Sequence, residues 1–542
     1  MYPKSLHIGR ASDLQNIWDR RLYRIFEILP GFLVWATFIF VAIFSFVKPV
    51  WVALFIIGFD VFWIMNAIFL ASFLILSFVR MRRALRTDWL ASLDHLSLIP
   101  APEPLARCGA GNNQLSVKSW RDIIHLVIFP MYKESPEVVG GSLEALVDAE
   151  YPKENFFVVL AAEERAGDAA RRTADILKER FADKFGNFLV TAHPSNIPGE
   201  IAGKGSNEAW AAKEAVAKLI EPAQIPFEHV IVSAFDSDTR AYPYYFACLT
   251  YHYLTAKNPL RASYQPVPVF NNNIWEAPFF SRVSALGSTI WQLFMQAQPD
   301  MLETFSSHSM PLKTLVDIDF WTTKVVSEDS IIFSQCFLAF DGKYQVIPLY
   351  YPVSMDANVS RSIIKTAVSV YKQTRRWAYG VEKIPYVLFG FVKNKRIPLF
   401  TKLRMGTRLL FGFWSWGCAS LLIVFLGWWP MIFGGDEFRE SILAFNLPRL
   451  TSRLMTFAMV GLLVNSVLTF LLLPPKPKEI SRLVYLSFLL QWLFLPLTLI
   501  FFSTLPAIEA QTRLMLGKYL GFYVTEKIRR NPGGDSITKT LN

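Results

Sequence analysis

Two apolar runs near the N-terminus constrain this chain most. Residues 29–47 and 51–79 are almost free of charged side chains, with Asp60 as the exception, and Lys48 and Pro49 separate them. Each run supplies the roughly 20 residues that a membrane-spanning helix needs, and a spanning segment must satisfy its backbone hydrogen bonds internally. The sequence therefore predicts a helical hairpin that crosses a bilayer.

The charges beside these runs indicate how the hairpin is oriented. Basic side chains precede the first run and follow the second, so the positive-inside bias places both ends in the cytoplasm. These side chains are Arg20, Arg21, Arg24, Arg80, Arg82, Arg83 and Arg86. Because the first run begins only after a charged segment, residues 1–28, we interpret it as a retained anchor rather than a cleavable signal.

Composition supports a membrane protein and excludes other classes. Of the 542 residues, 52% are hydrophobic and 15% aromatic, which excludes a disordered chain. The formal net charge is +11, but the basic residues concentrate beside the apolar runs, where lipid headgroups explain them, so we do not expect nucleic-acid binding. The four cysteines are widely spaced and form no CxxC pair, which indicates neither a zinc site nor a disulfide framework.

Three further apolar runs follow a second basic cluster: 409–433, 457–473 and 484–505. Two runs before this cluster and three after it would leave the C-terminus outside, whereas Lys527 and its basic neighbours give the tail an inside-type charge pattern. The conflict disappears if the last run, which contains Pro496 and Pro506, lies in the interface or re-enters the membrane.

The stretch 120–398 contains no spanning run and alternates short apolar strings with charged, helix-like segments. The strings 125–129, 156–160, 188–191 and 229–234 predict buried strands, and 134–148, 167–185 and 207–220 predict the helices between them. This alternation predicts a parallel sheet covered by helices, with ligands at the carboxyl ends of the strands. The aromatic stretch 270–280 either covers such a ligand pocket or packs against the membrane part.

The most informative string is Asp236-Ser237-Asp238, directly after the strand predicted at 229–234. Two carboxylates at i and i+2 on an extended backbone project to the same side, so they can share a divalent cation, Mg²⁺ or Mn²⁺, whose remaining positions take a diphosphate. That is the chemistry of a nucleotide-sugar site. An Asp-x-Asp pair alone is weak evidence, and its place at the carboxyl end of a strand strengthens it.

A second acidic pair, Glu328-Asp329, follows about ninety residues later. Such a pair can supply the general base that deprotonates an acceptor hydroxyl. The alternative is a helix N-terminus capped by Ser327 with acids in its first turn, and both interpretations hold together. For a base, we expect the pKa of Asp329 to be raised by partial burial and by Glu328.

A third string, Gln373-Thr374-Arg375-Arg376-Trp377, combines an indole with guanidinium groups. A sugar ring can lie on the indole while a pyrophosphate binds the guanidinium fork. An interfacial helix that meets lipid headgroups explains the same residues.

The order of these motifs, Asp-x-Asp, Glu-Asp and then Gln-x-x-Arg-Trp between apolar runs, resembles the membrane-embedded family 2 glycosyltransferases typified by bacterial cellulose synthase and hyaluronan synthase. The string Phe522–Lys527 is similar to the FxVTxK gating loop of cellulose synthases. The resemblance implies an α/β fold, with a cytoplasmic GT-A (Rossmann-like) glycosyltransferase domain inserted between transmembrane α-helices. It covers about residues 122–527.

The resemblance also implies roles for individual residues. Asp236 and Asp238 would hold the metal, Asp236 also the donor, and Asp329 would act as the base beside Glu328. The other donor-binding residues implied are Pro130, Tyr132, Glu134, Glu163, Glu164, Lys204, Thr525 and Lys527, with Lys204 in a loop near the nucleotide and Glu163 and Glu164 where many members have aspartate. The residues implied for the acceptor and diphosphate are Gln373, Arg375, Arg376, Trp377 and His308.

We therefore divide the chain into a cytoplasmic N-terminal segment (1–28), a transmembrane hairpin (29–80), a linker (81–119), a catalytic GT-A domain with interfacial helices (120–398), C-terminal transmembrane helices (399–510) and a gating-loop-like tail (511–542). The expected protein lies in the cell (inner) membrane as a multi-pass protein with a cytoplasmic catalytic domain.

The expected activity is inverting transfer of a hexosyl group from a nucleotide-diphosphate sugar to a growing polysaccharide. Two alternatives stay open: non-processive transfer of one sugar to a lipid carrier, and a catalytically degenerate membrane scaffold or transporter. The second has thin support, because Asp60 is essentially the only ionisable residue within the apolar runs.

Overall fold

The computed structural model describes residues 7–98, 117–478 and 480–524. The chain begins with two long helices, α1 (Ile17–Val47) and α2 (Pro49–Arg86), which Lys48 separates, and the shorter α3 (Trp89–Leu98) follows. Helix α1 begins inside the segment 1–28, because the Asn16 side chain caps it by accepting a hydrogen bond of 2.8 Å from the Trp18 amide. The charged start of the chain is therefore continuous with the first apolar helix.

The middle of the chain folds into one eight-stranded sheet with helices on both faces. The strands are β1 (Ile124–Met131), β2 (Phe156–Glu163), β3 (Asn187–His193), β4 (Val230–Ala234), β5 (Arg240–Ala241), β6 (Ala262–Phe270), β7 (Ser309–Pro311) and β8 (Gln345–Met355). The helices are α4 (Pro136–Val147), α5 (Asp168–Phe181), α6 (Lys204–Ala215), α7 (Tyr245–Thr255), α8 (Phe279–Gln296), α9 (Leu312–Asp317), α10 (Glu328–Ala339), α11 (Ile363–Ala378) and α12 (Lys383–Lys393). The predicted α/β class, with this domain between apolar helices, is confirmed.

The strand order is β3-β2-β1-β4-β7-β6-β8-β5. The half formed by β3, β2, β1 and β4 is parallel, as the alternation predicts. The prediction of a wholly parallel sheet is wrong for the other half, where β7 runs antiparallel to β4 and β6, and β5 runs antiparallel to β8. Strand β7 starts opposite the carboxyl end of β4, with Ser309 beside Ser233, so it has to run back along β4.

The sheet is buried on both faces, which explains why its central strands are continuous apolar runs. Successive residues of β1 point to opposite sides: Leu126 and Ile128 join the cluster that includes α6 and α10, and Val127 and Phe129 join the cluster that includes α4 and α7. The stretch 270–280 packs rather than covers a pocket, since Trp275 lies 5.2 Å from the Phe488 ring.

The last third of the chain is helical. Its helices are α13 (Leu399–Val424), α14 (Trp429–Phe433), α15 (Gly435–Arg439), α16 (Ile442–Leu471), α17 (Val484–Leu490), α18 (Leu495–Leu499) and α19 (Leu505–Met515). Short 3₁₀ and π turns join α17, α18 and α19 into one helical segment, Val484–Met515. Within the described residues, four helices are long and apolar enough to cross a membrane: α1, α2, α13 and this segment.

Candidate active site

A cluster of acids surrounds one lysine beyond the carboxyl end of β4. Lys204 is the first residue of α6, and its side chain is only 8% exposed. Its Nζ lies 2.8 Å from Asp236 Oδ1 and 3.4 Å from Asp329 Oδ2. Glu208 and Glu328 each place an oxygen within 4 Å of the same nitrogen. The segment 203–207 is therefore not the predicted loop, because Lys204 already belongs to a helix that aims it at the acids.

The acids and the lysine set one another's protonation. Burial alone would lower the pKa of Lys204, but Asp236 and Asp329 outweigh burial and raise it well above its usual value. Burial favours the neutral form of Asp329, yet the Lys204 ammonium holds the pKa of Asp329 below its usual range. The expected upward shift of Asp329 is thus wrong, because the sequence interpretation did not include the ammonium beside it.

The raised pKa belongs to the two glutamates instead. Burial and the adjacent Asp329 raise the pKa of Glu328 well above its usual value, and burial raises the pKa of Glu208 to about 8. Neither carboxylate oxygen of Glu208 accepts a hydrogen bond among the described residues. The cluster thus holds one ionised base, Asp329, beside two acids that keep protons near neutral pH.

A close approach of two helices builds this cluster. Gly205 follows Lys204 on α6, and a Cβ placed on Gly205 would lie 2.7 Å from the Glu328 Cβ on α10. Only glycine leaves room for the first turn of α10 against the first turn of α6. The glycine beside the lysine is therefore what brings Glu328 and Asp329 to Lys204.

The two aspartates after β4 have different surroundings. Asp236 Oδ2 accepts a hydrogen bond of 2.8 Å from Ser306 Oγ, on the opposite side of its carboxylate from Lys204. Asp238 is 1% exposed, and its Oδ2 accepts a hydrogen bond of 2.9 Å from the Asp356 amide. Among the described residues, no group of three or more His, Cys, Asp or Glu side chains is arranged to hold a metal ion.

The loop before β7 covers one side of the cluster. Gln265 fixes this loop, since its Oε1 accepts a hydrogen bond of 2.8 Å from the Phe305 amide and its Nε2 donates one of 3.2 Å to Ser306 O. His308 is buried, and burial lowers its pKa to about 4. A neutral His308 therefore lies close to Asp329 rather than on an open surface.

The third motif occupies the last turns of α11 and divides between two faces. Gln373 Oε1 accepts a hydrogen bond of 3.1 Å from Asn358 Nδ2, and the Trp377 ring lies 6.3 Å from Phe270. Arg376 lies over the Phe522 ring at 4.8 Å. Arg375 points elsewhere, because its Nη1 donates a hydrogen bond of 2.7 Å to Glu509 on α19. The structure brings Gln373, Arg376 and Trp377 to one face and leaves Arg375 out.

A small cavity adjoins that face. It is lined by Gln373, Trp377, Phe270, Ser281, Asp356 and Asn358. Asp356 is also the residue whose amide holds Asp238, so the cavity and the second aspartate share one wall.

The residues implied for the nucleotide base lie at the ends of β1 and β2. Glu134 closes the turn after β1, because its Oε2 accepts hydrogen bonds from the Tyr132 amide at 2.6 Å and the Lys133 amide at 3.0 Å. Pro130 lies inside β1, one residue before its end. The Tyr132 ring faces Arg165, whose guanidinium lies 4.7 Å from it. This tyrosine–arginine pair was missed by the sequence interpretation.

The two glutamates at the end of β2 are both engaged. Glu163 is buried and pairs with Arg165. Glu164 Oε2 accepts a hydrogen bond of 2.8 Å from the Ser195 amide, which lowers the pKa of Glu164. Only Glu163 is thus connected to the Tyr132 side of the sheet.

The chain end returns to the acid cluster. A Cβ on Gly203 would lie 2.6 Å from the Phe522 ring, so Phe522 lies directly on the residue before Lys204. Phe522 thereby lies between Gly203 and the Arg376 guanidinium. Thr525 and Lys527, the other residues implied by the tail motif, lie outside the described residues.

Comparisons with known proteins leave the family open. No family model matches the sequence, and no curated protein is similar to it at a significant level. The solved structure of the Pyrobaculum calidifontis mannosyltransferase PcManGT, in complex with GDP-Man and Mn²⁺, aligns with 83% of this chain and 100% of its own at 12% identity and a TM-score of 0.38.

Two structures of S. aureus TarS also align. TarS 1–349 in complex with UDP-GlcNAc matches 64% of this chain and 90% of its own at 14% identity and a TM-score of 0.35. A further TarS structure matches 63% of this chain and 54% of its own at 14% identity and a TM-score of 0.31. All three TM-scores are low, and the assignment of function therefore rests on this chain's own residues.

Proposed function

We propose that this protein is a membrane-bound inverting glycosyltransferase of the family 2 type, which moves a sugar from a nucleotide-diphosphate donor to an acceptor hydroxyl. The observation that carries the proposal is the convergence of Lys204, Asp236 and Asp329 at the carboxyl end of β4. Three motifs far apart in sequence supply these side chains, and the Arg376 end of α11 borders them through Phe522.

The acid cluster fits a divalent cation. Four acidic side chains surround a single ammonium, and the buried oxygens of Glu208 accept no hydrogen bond from described residues. A hard cation prefers carboxylate oxygen ligands, and Asp236 and Asp238 would hold Mg²⁺ or Mn²⁺ together with the donor diphosphate. When bound, the cation neutralises charge that develops on the leaving diphosphate.

In this proposal Asp329 takes the proton of the acceptor hydroxyl. The Lys204 ammonium keeps Asp329 ionised in the free enzyme, which also makes Asp329 a weak base. A donor diphosphate is a stronger partner for Lys204 than a single carboxylate. Once Lys204 turns toward the diphosphate, the pKa of Asp329 rises and the carboxylate becomes a better proton acceptor. Donor binding and base activation are thus linked through one side chain.

The face of α11 would hold the reacting groups in place. Arg376 contributes positive charge toward the diphosphate, and Trp377 offers an aromatic face to a sugar ring. Gln373 and Trp377 line the cavity that we assign to the acceptor end. Tyr132, with Pro130 and Glu163, would face the nucleotide base, while Thr525 and Lys527 are expected to close over the nucleotide.

We assign the protein to the cell (inner) membrane, with the sheet domain on the cytoplasmic side where nucleotide sugars occur. A growing polysaccharide is the acceptor we favour, because the tail that resembles a gating loop lies against the lysine helix. Product length on a sizing gel distinguishes this acceptor from a lipid carrier: a ladder of long products supports the polysaccharide, and a single organic-soluble product supports the carrier.

The activity is tested by release of nucleoside diphosphate from a panel of nucleotide sugars with Mg²⁺ or Mn²⁺, using the full chain in membranes. We expect release with at least one donor, loss of release with EDTA, and loss in Asp238→Asn. Asp183→Asn, at an exposed surface ion pair, serves as the matched control and should keep full activity. Absence of release with every donor would contradict the proposal.

A further inference from the structure

A buried glutamate supports the start of α10 from outside the acid cluster. Glu382 is 5% exposed and ends the 3₁₀ turn Tyr379–Glu382, directly after α11. Its Oε1 accepts hydrogen bonds from the Val326 amide at 2.8 Å, the Ser327 amide at 2.9 Å and Ser327 Oγ at 2.7 Å. No Lys, Arg or His nitrogen lies within salt-bridge distance of this carboxylate in the described parts of the chain. Its contacts are therefore directed at these two residues.

Those two residues immediately precede the acidic pair. Ser327 is the N-cap of α10, and Glu328 and Asp329 are the first residues of that helix. An N-cap serine usually turns its hydroxyl toward the helix's own free amides, but the Ser327 side chain makes no such bond. Its hydroxyl donates to Glu382 instead. The position of the α10 start is therefore set by Glu382.

Glu382 also belongs to a different part of the molecule from the residues that it holds. It lies five residues after Trp377, at the end of the helix that carries Gln373 and Arg376. The hydrogen bonds to Val326 and Ser327 thus tie the α11 motif to the α10 acids. They cross the domain without passing through Lys204.

We propose that Glu382 is a positioning residue, which fixes the first turn of α10 so that Asp329 stays in register with Lys204 and with the reacting groups held by α11. This inference rests on the proposed function of Asp329 as the base. A displacement of about 1 Å at a catalytic group can reduce turnover by on the order of 100-fold. The loss of three hydrogen bonds two residues upstream of Asp329 is expected to cause such a displacement.

The test compares Glu382→Ala, which removes the acceptor, with Glu382→Gln, whose amide oxygen can still accept the two amide bonds. Asp341→Asn is the matched control, because Asp341 lies just beyond the opposite end of α10 and binds Asn394 and Arg396. We expect kcat to fall by on the order of 100-fold in the alanine variant, less in the glutamine variant, and not in the control. The KM for the donor should stay within about twofold of wild type, since the donor contacts are untouched.

A second readout does not depend on activity. Hydrogen–deuterium exchange of the peptide that contains residues 326 and 327 should be slow in wild type, intermediate in Glu382→Gln and fast in Glu382→Ala. If the wild type turns over donor and the alanine variant keeps its kcat, the inference is wrong and the proposed function stands. If the wild type turns over no donor, the proposed function is wrong, and with it the catalytic part of the inference. Unchanged exchange in both Glu382 variants would overturn the inference by itself.

Discussion

Lys204 is the residue on which the electrostatics of the acid cluster depend. It is nearly buried, and four carboxylates lie within 4 Å of its ammonium. Burying an isolated ammonium costs several kcal/mol, so the charge is stable there only because acids surround it. The same arrangement keeps Asp329 ionised. Lys204 therefore serves both the structure of the site and the protonation of its base.

Replacement of Lys204 by methionine tests this dual role. Without the ammonium, the carboxylates lose their compensating charge and the donor diphosphate loses a partner. We expect transfer to fall by on the order of 100-fold or more, measured as nucleoside diphosphate release. Lys213→Met is the control, since Lys213 is on the same helix but exposed and paired with Asp319. Equal activity in the two variants would contradict the role assigned to Lys204.

The sequence was informative about residues that occur in short strings and uninformative about residues that meet only in the fold. Asp236, Asp329 and Lys204 were all expected at a donor site, and the structure brings them together. Glu208 was missed, although it lies one helical turn after Lys204, at i+4. Glu382 carried no local signal, because its partners lie 55 and 56 residues earlier in the chain.

At the scale of elements, the contact between α6 and α10 decides whether the cluster forms. Gly205→Ala places a methyl group 2.7 Å from the Glu328 Cβ, which is not the flexible end of a side chain. Overpacking of this kind typically costs about 1–3 kcal/mol. We expect a lower melting temperature together with reduced transfer, because the helices must separate.

Gly287→Ala is the control for this prediction. Gly287 lies on α8, and a Cβ there would meet no atom within 4 Å. Thermal melting and diphosphate release should both match wild type in this variant. If Gly205→Ala behaves like Gly287→Ala, close approach of the two helices is not what assembles the site.

The strands show which elements a sequence reveals. Strands β1 to β4 are buried on most of their length, and their apolar strings predicted all four within a few residues. Strand β5 has two residues and β7 has three, too short for any periodicity to appear. Their antiparallel direction follows from long-range pairing, which local patterns do not encode.

At the scale of the whole molecule, the two ends of the chain meet below the sheet domain. Arg24 on α1 donates a hydrogen bond of 2.9 Å to Leu514 O at the end of α19. The neighbouring Glu27 is fully buried and accepts a hydrogen bond of 3.1 Å from the Tyr519 hydroxyl. The first apolar helix thereby holds the segment that leads to Phe522. The apolar helices and the acid cluster are thus parts of one connected structure.

Buried histidines make the stability of the sheet domain depend on pH. His125 is 0% exposed, and burial lowers its pKa to about 3. The unfolded chain takes up a proton below about pH 6.5 while the folded chain does not, so acidification favours unfolding. The unfolding free energy should fall by about 1 kcal/mol for each pH unit below 6.5 for this group alone.

Thermal melting of the full chain in detergent checks this prediction. The melting temperature should decrease between pH 7 and pH 5, and the decrease should be smaller in His125→Asn, which cannot titrate. Burial also lowers the pKa of His252 to about 4 and that of His308 to about 4, so part of the decrease should remain. An equal decrease in the variant and the wild type would show that His125 does not contribute.

The central claim is that Asp329 accepts the proton of the acceptor while Asp236, Asp238 and Lys204 hold the donor. The most direct test is Asp329→Asn, with donor binding measured by calorimetry and transfer measured by diphosphate release in the same preparation. The account predicts that the variant binds the donor as wild type does in the presence of Mn²⁺ and transfers no sugar. Retained turnover in Asp329→Asn would contradict the account.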